Sequence, residues 1–378
     1  MAASSSTVSL LLPSLSTDLV GSGESVLMPE EERRAYFDIL LRDCSACSRA
    51  LSHSTAEERA AAEAAMERSV GRLRRALTLH TIPLPSENDL LFSDLCSQRG
   101  RIWKTLLGIG SNVAVHEYLH FLDSGPLRGS IPQITKDYDR ITKESAFIRH
   151  RAISERPCQR VFLASLNWYL HRHPDRLGAY LNRHGAVEIA QGPLRLLIQF
   201  LKVMPELDAF FCFREYYALL EPLFSISTDP ADPRSFPGLI ALTRISELVL
   251  VEYLRLTGTT ATPADAFSMT PQKKLEGFAF GLYSSGHTYQ EKDEENDILV
   301  LWDSLIAYGY HLNFYLILAR LLISYRHTGI EALTGVQHKH PKLQDPHQLL
   351  KAAFALLSTT PRHVLAKVFQ YTYTRQLF

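Results

Sequence analysis

The stretch LASLNWYL, residues 163–170, is the clearest guide to the fold. It is strongly apolar and holds no proline or glycine, so it predicts a buried helix. Two further runs have the same character, LRLLIQFL at 194–201 and LIALTRISELVLVEYL at 239–254. Few segments alternate between apolar and polar residues with the period of two that marks a half-buried strand, and none forms a convincing hairpin. The sequence therefore predicts an all-α protein.

Several of the expected helices carry start signals of their own. Pro29 is followed by three glutamates, which suits a first turn because proline is tolerated there and carboxylates interact favourably with the helix dipole. Ser54 to Glu57 predicts a capping box, and Asp345-Pro346 and Thr360-Pro361 predict the starts of the last two helices. Four segments are expected to be loops: 225–236, 257–271, 291–297 and 327–346.

The composition is that of an ordinary folded protein and argues against two classes of partner. Of 378 residues, 46% are hydrophobic and 21% are charged, with a formal net charge of +0. This balance gives no excess of positive charge that would indicate binding to nucleic acid. No uncharged apolar run of about 18 residues occurs, so we expect no integral membrane segment. Residues 1–28 are dominated by serine and threonine, and we expect them to form a disordered tail.

The five cysteines favour a reducing compartment. Their number is odd and they are scattered along the chain, which is typical of free thiols in the cytosol. Cys44 and Cys47 form a C-x-x-C pair late in the helical pattern Glu30–Leu51. A redox centre would place such a pair at the start of a helix after a strand, so we expect neither redox nor metal chemistry there.

Residues 116–120, HEYLH, match the HExxH pattern of zinc peptidases. On a helix, two histidines four residues apart face one metal ion, and the glutamate between them activates the bound water. The extended motif would require glycine at position 123 and histidine at position 126, where Asp123 and Pro126 stand. Glu144 is the nearest other candidate for a third ligand. A zinc metallopeptidase therefore stays open as an alternative, while the leading interpretation has no metal site.

Residues 134–140, ITKDYDR, have the form I-x-x-D-x-x-R. Taken alone, Asp137 and Arg140 predict an exposed helix pair that contributes about 0.2–0.5 kcal/mol, with Asp139 as a rival partner for the arginine. The order of features around this segment carries more weight. The chain holds RGRIWKTLLG at 99–108, then ITKDYDR, IAQG at 189–192, MPELDAF at 204–210 and LWDSLIAYGYHLN at 301–313.

This succession resembles the TBC domain of Rab GTPase-activating proteins. The run at 99–108 resembles the opening helix of that domain, ITKDYDR its arginine-finger motif, and IAQG its Y-x-Q-G glutamine-finger motif. The run at 301–313 is most similar to the Bub-type mitotic-exit checkpoint members. The resemblance covers residues 73–378 and implies an all-α TBC fold of two helical subdomains. Residues 29–72 would form a helical N-terminal extension that packs on this domain or on a partner.

The resemblance implies that the chain supplies two catalytic residues to a partner, Arg140 as an arginine finger and Gln191 as a glutamine finger. Asp137 would hold the Arg140 guanidinium in place. Other motif residues would support the fingers or the fold: Ile134, Ile189 and Gly192 beside the fingers, and Trp103, Trp302 and Asp303 as structural residues, with both tryptophans in the core. The chain would turn over no substrate of its own and would need no cofactor, because GTP and magnesium are carried by the partner GTPase.

The implied partner is a Rab-like small GTPase in its GTP form, with a second GAP subunit or scaffold as a further candidate. Ile189 stands where the family has a tyrosine, so a catalytically silent TBC scaffold that binds a GTPase or an effector is an alternative. The implied setting is vesicle trafficking or the cell cycle, in the cytoplasm. Attachment at a membrane surface, a spindle pole or a cilium is left open.

Overall fold

The structure, a computed structural model, describes residues 28–83, 96–110, 114–144, 153–175, 177, 193–220, 292–328 and 345–373, with a few single positions between 223 and 249. The regular elements in these segments are helical and none is a β-strand, so the predicted all-α fold is confirmed. None of the described helices is both long enough and apolar enough to cross a membrane.

The described helices begin and end where local residues favour it. In chain order they are α1 (Glu30–His53), α2 (Arg59–Leu79), α3 (Gln98–Leu106), α4 (Val115–Asp123), α5 (Ser130–Glu144), α6 (Glu155–Arg172), α7 (Pro193–Leu201), α8 (Glu206–Leu219), α9 (Lys292–Tyr308), α10 (His311–Thr328), α11 (Pro346–Thr359) and α12 (Arg362–Thr372). Helix α1 follows Pro29 and has three glutamates in its first turn. Asp345 caps α11, because its side chain accepts from the backbone N–H of His347 at 3.0 Å.

The capping box before α2 lies one residue later than predicted. The backbone N–H of Thr55 donates to Glu58 Oε2 at 3.1 Å, and the backbone N–H of Glu58 donates to Thr55 Oγ1 at 3.4 Å. Ser54 instead donates its hydroxyl to the Leu51 carbonyl at 2.8 Å, at the end of α1. The Ser/Thr-x-x-Glu spacing occurs twice in succession here, so the pattern alone does not choose between the two registers.

The acidic segment predicted as a loop at 291–297 belongs largely to a helix. Helix α9 already begins at Lys292, so the prediction was wrong. Acidic residues directly after a helix start are favoured by the partial positive charge of the helix N-terminus. A charged run between apolar segments is also typical of a loop, so the acidic run alone does not distinguish a loop from the first turns of a helix.

The described helices form two groups, and α3 contacts both of them. In the first group, α1 and α2 form a helical hairpin and α2 packs against α9. Helices α9, α10 and α11 pack on one another, and α12 packs on α10. In the second group, α6 lies against α4, α5, α7 and α8. Helix α3 contacts α1, α2 and α9 on one side and α8 on the other. This division agrees with the two helical subdomains that the resemblance implies.

A buried polar cluster fastens α3 to α9. Arg99 Nε donates to the Asp303 carboxylate at 3.0 and 3.2 Å, and Trp103 Nε1 donates to Asp303 Oδ1 at 2.8 Å. The Trp103 and Trp302 rings are fully buried, with centroids 6.1 Å apart. Burial raises the pKa of Asp303, and the Arg99 charge opposes that rise. The Asp303 carboxylate, with its ion pair to Arg99 and its hydrogen bond from Trp103, therefore joins two segments that are 200 residues apart in sequence.

The predicted boundary between the N-terminal extension and the domain falls inside α2, which runs unbroken from Arg59 to Leu79. Leu73, the first residue of the predicted domain, is fully buried. Tyr308 of α9 donates its hydroxyl to the Arg74 carbonyl at 3.2 Å. The α1–α2 hairpin thus packs on the rest of the molecule, while the division into 1–28, 29–72 and 73–378 stays a prediction.

Candidate functional site

Helix α5 carries the I-x-x-D-x-x-R segment, and its buried face orients the site. Ile134 and Ile141, seven residues apart, are 2% and 4% exposed and place one face of the helix in the core. Lys136 and Asp139 are exposed on the other side. Arg140 lies between the two faces, so its backbone is fixed by core packing while its side chain reaches the surface.

Two hydrogen bonds fix the rotation of α5 against α6. Thr135 Oγ1 donates to Glu155 Oε1 at 2.6 Å, near the start of α6. The Tyr138 hydroxyl donates to the Ile153 carbonyl at 2.6 Å, just before α6 begins. Because both contacts lie within one turn of Asp137, they hold this part of α5 in a single register against its neighbour.

The structure brings Asp137 and Arg140 together. Arg140 Nη2 lies 3.5 Å from Asp137 Oδ1, and the two side chains are 37% and 10% exposed, respectively. Asp139, the rival partner that the sequence offers, is exposed to solvent. The guanidinium is therefore held from behind by a buried carboxylate and keeps access to solvent in front.

The Asp137 carboxylate has an unusual electrostatic setting. Burial raises its pKa above the usual value for aspartate, and the charges of Arg140, Arg195 and Lys136 oppose that rise. Lys136 is exposed, so water and salt screen its field. Arg195 is only 6% exposed, so its charge acts on the carboxylate with little screening. Two arginines therefore dominate the stabilisation of the ionised carboxylate.

Arg195 is a buried charged residue that the motifs do not single out. It lies in α7, whose buried residues are mainly aliphatic or aromatic. Gln199, one turn later, is also buried and donates its amide to the Arg195 carbonyl at 3.5 Å. The sequence held one signal for Arg195, a charged residue inside the apolar run LRLLIQFL. An arginine is almost never fully buried without a partner, so such a residue indicates a buried polar contact.

The predicted glutamine finger, Gln191, lies outside the described residues, as do Ile189 and Gly192. Helix α7 begins at Pro193, two residues beyond Gln191. Proline suits this first helical position because the missing N–H would have no partner within the helix. The roles of the three IAQG residues stay predictions.

The HExxH segment forms part of α4, where both of its histidines, His116 and His120, are exposed. Glu117 Oε1 is paired with Arg214 Nη1 of α8 at 2.6 Å. The Arg214 guanidinium lies over three aromatic rings as well, with centroids at 4.4 Å for Phe211, 4.8 Å for Trp168 and 5.1 Å for Phe210. The glutamate of the pattern thus helps to pack α4 on α8.

The donor set of a zinc peptidase is not assembled in the described part of the chain. Among these residues, no three histidine, cysteine, aspartate or glutamate side chains lie together so that they could hold a metal ion. Glu144, the candidate third ligand, ends α5, but its side chain is not among those described. The contact of Glu117 with Arg214 favours a packing role for the HExxH helix.

The C-x-x-C pair lies inside α1 rather than at a helix start. Burial raises the pKa of the Cys44 thiol to about 11. Cys47 Sγ lies 3.4 Å from the Ser69 hydroxyl of α2. Because the thiolate is the reactive form of cysteine, a thiol with so high a pKa is a poor nucleophile at neutral pH.

Comparison with known proteins places these features in a context. No family model matches the chain. The chain is 28% identical over 268 residues to the "Putative mitotic check point protein BUB2" of Dictyostelium discoideum. The match covers 67% of this chain. The predicted resemblance to Bub-type proteins is confirmed. The chain spans 61% of the length of this curated relative.

The setting of the Asp137–Arg140 pair distinguishes it from an ordinary surface ion pair. An aspartate and an arginine three residues apart occur on many exposed helix surfaces. Here the carboxylate is buried, the arginine reaches solvent, and the neighbouring helix adds a second buried arginine. The pair is therefore the best-founded candidate site in the described part of the chain.

Proposed function

We propose that this chain is a GTPase-activating protein that acts on a Rab-like small GTPase in its GTP form and serves the cell cycle. One observation carries the proposal: Arg140 reaches solvent from α5 while the buried Asp137 carboxylate holds its guanidinium from behind. The similarity to a putative mitotic check point protein supports the cell-cycle part of the proposal.

The chemistry of GTP hydrolysis explains why an arginine would be supplied from outside. The transition state is loose and carries charge on the phosphoryl oxygens and on the leaving oxygen. An arginine finger neutralises that charge and accelerates hydrolysis by about 10³ to 10⁵, which corresponds to roughly 4–7 kcal/mol off the barrier. The nucleotide and its magnesium belong to the GTPase, so the chain itself needs no cofactor for this role.

The Asp137 contact would make Arg140 more effective. An arginine that is already held in one orientation loses less conformational freedom when it docks beside the phosphates. The planar guanidinium can also contact two oxygens at once, which a lysine ammonium cannot do. Gln191 would complete the site, because its amide carbonyl can accept from the attacking water and its NH₂ can donate to the GTPase backbone.

A panel of GTP-loaded Rab-like GTPases tests the proposal by the rate of phosphate release. We expect the wild-type chain to accelerate at least one of them, and Arg140→Ala and Arg140→Lys to lose about 10³-fold or more of that acceleration. Gln191→Ala is expected to lower the acceleration as well. The matched control is Arg362→Ala, an exposed arginine of α12 in the other helical group, which should behave as wild type.

Two results would count against this site. If a GTPase responds and Arg140→Ala accelerates it as well as wild type does, the arginine finger lies elsewhere. If Arg362→Ala loses as much as Arg140→Ala, the loss reflects a general effect on the protein rather than the finger. Circular dichroism of each variant separates a damaged site from a damaged fold.

A TBC scaffold is the second candidate function, and Ile189 favours it. The family has a tyrosine at this position, so the IAQG segment lacks an aromatic ring that would accompany the glutamine finger. A scaffold would bind a GTPase loaded with a non-hydrolysable GTP analogue but would not accelerate hydrolysis by the same GTPase loaded with GTP. Binding together with acceleration would exclude this alternative.

A further inference from the structure

Three basic side chains reach the surface on one side of α5. Lys136, Arg140 and Lys143 are spaced by four and three residues, so they are neighbours along this side of the helix. At a rise of about 1.5 Å per residue, the stretch from Lys136 to Lys143 covers about 10 Å of the helix axis. Arg140 lies between the two lysines, about one turn from each. We call these three residues the basic ridge.

The core packing of α5 directs the basic ridge outward. Ile134 and Ile141 are buried, and each precedes a ridge lysine by two residues, which is a rotation of about 200° on a helix. Lys136 and Lys143 are therefore on the face opposite the core, and both are exposed. The hydrogen bonds between α5 and the start of α6 hold this rotation, so the direction of the ridge is fixed by the fold.

Asp139 shares this face with the basic ridge and is exposed as well. Its carboxylate offsets part of the positive charge, but the described part of this face carries three cations. Neither Lys136 nor Lys143 forms an ion pair within 4.0 Å with any described residue. Arg140, by contrast, is joined to Asp137. The two lysines therefore keep their charges available to a partner.

The lysines and the arginine of the ridge suit different tasks. The Arg140 guanidinium is held 3.5 Å from the buried Asp137 carboxylate, which favours one fixed orientation. A lysine ammonium is a compact charge on a flexible stem, so an exposed lysine contributes little to a fixed geometry. Its field nevertheless extends over about 10 Å at an ionic strength of about 0.1 M, which is far enough to guide an approaching partner.

We infer that the basic ridge is the docking surface for an acidic patch of the partner GTPase, next to the phosphates of its GTP. This docking role rests on the proposed function, which supplies the partner. An arginine that approaches the phosphates of GTP enters a region of negative charge, and the lysines one turn before and after it then face the rim of that region. Charge complementarity therefore selects an acidic surface as the occupant. The chain has a formal net charge of +0, so the attraction comes from this local surface rather than from the whole protein.

Stopped-flow association with Rab-like GTPases that carry a fluorescent, non-hydrolysable GTP analogue tests the docking role. At about 0.1 M salt, the double variant Lys136→Gln with Lys143→Gln should associate about 10-fold more slowly than wild type, because the charges that guide the encounter are gone. The two proteins should converge at about 1 M salt, where screening removes the difference. The dissociation rate constant should change much less. Lys136→Arg with Lys143→Arg keeps both charges and should associate as wild type does.

The matched control is the double variant Lys351→Gln with Lys367→Gln. It removes two exposed lysines from α11 and α12, in the other helical group, and lowers the net charge of the chain by the same amount. Its association rate should equal that of wild type at every salt concentration. An equal loss in this control would show that total charge guides the encounter, and would overturn the docking role of the ridge.

Hydrolysis by the GTPase that responds in the panel separates docking from chemistry. Lys136→Gln with Lys143→Gln should raise KM about 10-fold at about 0.1 M salt with little change in kcat, because the lysines act on encounter rather than on the transition state. Arg140→Ala should lower kcat instead. A loss of kcat with an unchanged KM in the double lysine variant would place the lysines in the chemical step and overturn their docking role.

The results distinguish failure of the docking role from failure of the proposed function. If a GTPase responds and requires Arg140, but the double glutamine variant associates like wild type at every salt concentration, the docking role is wrong and the proposed function stands. If a GTPase binds with the expected dependence on salt and lysines but is not accelerated, the proposed function fails and the docking role stands. If no GTPase of the panel binds, both fail.

An anionic membrane is the other acidic surface that the ridge could meet. Sedimentation with vesicles that contain phosphatidylserine, compared with vesicles of phosphatidylcholine alone, measures this contact. Binding to the anionic vesicles that requires Lys136 and Lys143, together with GTPase association that does not, would make the ridge a membrane contact and overturn the inference. We expect the reverse, with GTPase association that depends on the two lysines and vesicle binding that does not.

Discussion

Gly100 shows, at the scale of a single residue, how closely α3 approaches the second helical group. A Cβ at this position would lie 2.4 Å from the Val203 carbonyl oxygen and 2.6 Å from Cys96 Sγ. The Ser97 hydroxyl donates to the same Val203 carbonyl at 2.6 Å, which holds that oxygen in place. A backbone atom fixed in this way cannot yield as the end of a flexible side chain can.

Gly100→Ala is therefore expected to destabilise the protein by about 1–3 kcal/mol, as overpacking of a tight contact does. Gly71→Ala is the matched control, because it makes the same change inside α2, where a Cβ would meet nothing within 4 Å. It should stabilise the protein by about 0.5–1 kcal/mol, since alanine suits a helix interior better than glycine. Urea unfolding of the two variants measures both effects, and equal shifts in the same direction would contradict this account of the contact.

The residues of the site were predictable to different degrees. Asp137 and Arg140 are three residues apart in one helix, so their spacing alone predicts that they are neighbours. The effect of the Arg195 charge on Asp137 is not predictable in this way, because it depends on how α7 packs against α5. The close approach at Gly100 depends on tertiary packing as well, and no local pattern contains it.

The attachment of α12 is the clearest feature at the scale of an element. Tyr373 directly follows α12, and its hydroxyl accepts from the backbone N–H of His311 and lies 3.0 Å from His311 Nδ1. The Phe369 ring of α12 lies 4.2 Å from the His311 ring, centroid to centroid. The imidazole is thus enclosed between α10 and α12, and burial lowers its pKa from 6.5 to about 3.

This enclosure predicts a loss of stability on the acid side of neutral pH. The unfolded chain binds a proton at His311 below about pH 6.5, whereas the folded chain does so only near pH 3, so folding becomes less favourable as pH falls between these values. The loss is about 1.4 kcal/mol for each pH unit in that window. His311→Asn, which keeps an acceptor at the position of Nδ1, should lose this dependence between pH 7 and pH 5.

Chemical unfolding at several pH values, with the exposed His347→Asn as the control, measures the slope. A wild-type slope that His311→Asn retains would show that the imidazole is not enclosed in this way. If His347→Asn, rather than His311→Asn, reduced the dependence of the unfolding free energy on pH, the exposed histidine would be its source.

The elements themselves were largely predictable, and the exceptions have physical causes. The helices at 163–170 and 194–201 were predicted from their apolar runs, in a chain where few segments show the alternation of a half-buried strand. The start of α9 was missed because acidic residues favour both a solvent-exposed loop and the first turn of a helix. The register of the capping box was missed because two overlapping copies of its pattern compete.

At the scale of the whole molecule, we expect the Arg99–Asp303 pair to couple the unfolding of the two helical groups. Arg99 lies in α3, which contacts both groups, and Asp303 lies in α9 of the first group. The pair is almost completely buried and is supported by the Trp103 indole N–H and by the Ile82 carbonyl. A buried pair contributes to stability only while both partners are present, because each compensates the other.

Asp303→Asn should therefore destabilise the protein by about 3–5 kcal/mol, since it leaves the Arg99 charge buried without its counter-charge. Replacing both partners, as Arg99→Met with Asp303→Leu, should recover much of that loss because no uncompensated charge remains. Glu63→Gln, at the exposed Arg59–Glu63 pair of α2, should change stability by less than about 1 kcal/mol.

Urea unfolding followed by tryptophan fluorescence and by far-ultraviolet circular dichroism checks all three variants. The two signals should coincide in wild type, because Trp103 and Trp302 lie where the groups meet. If the signals separate in wild type, or if the double variant is no more stable than Asp303→Asn, this ion pair is not what couples the two groups.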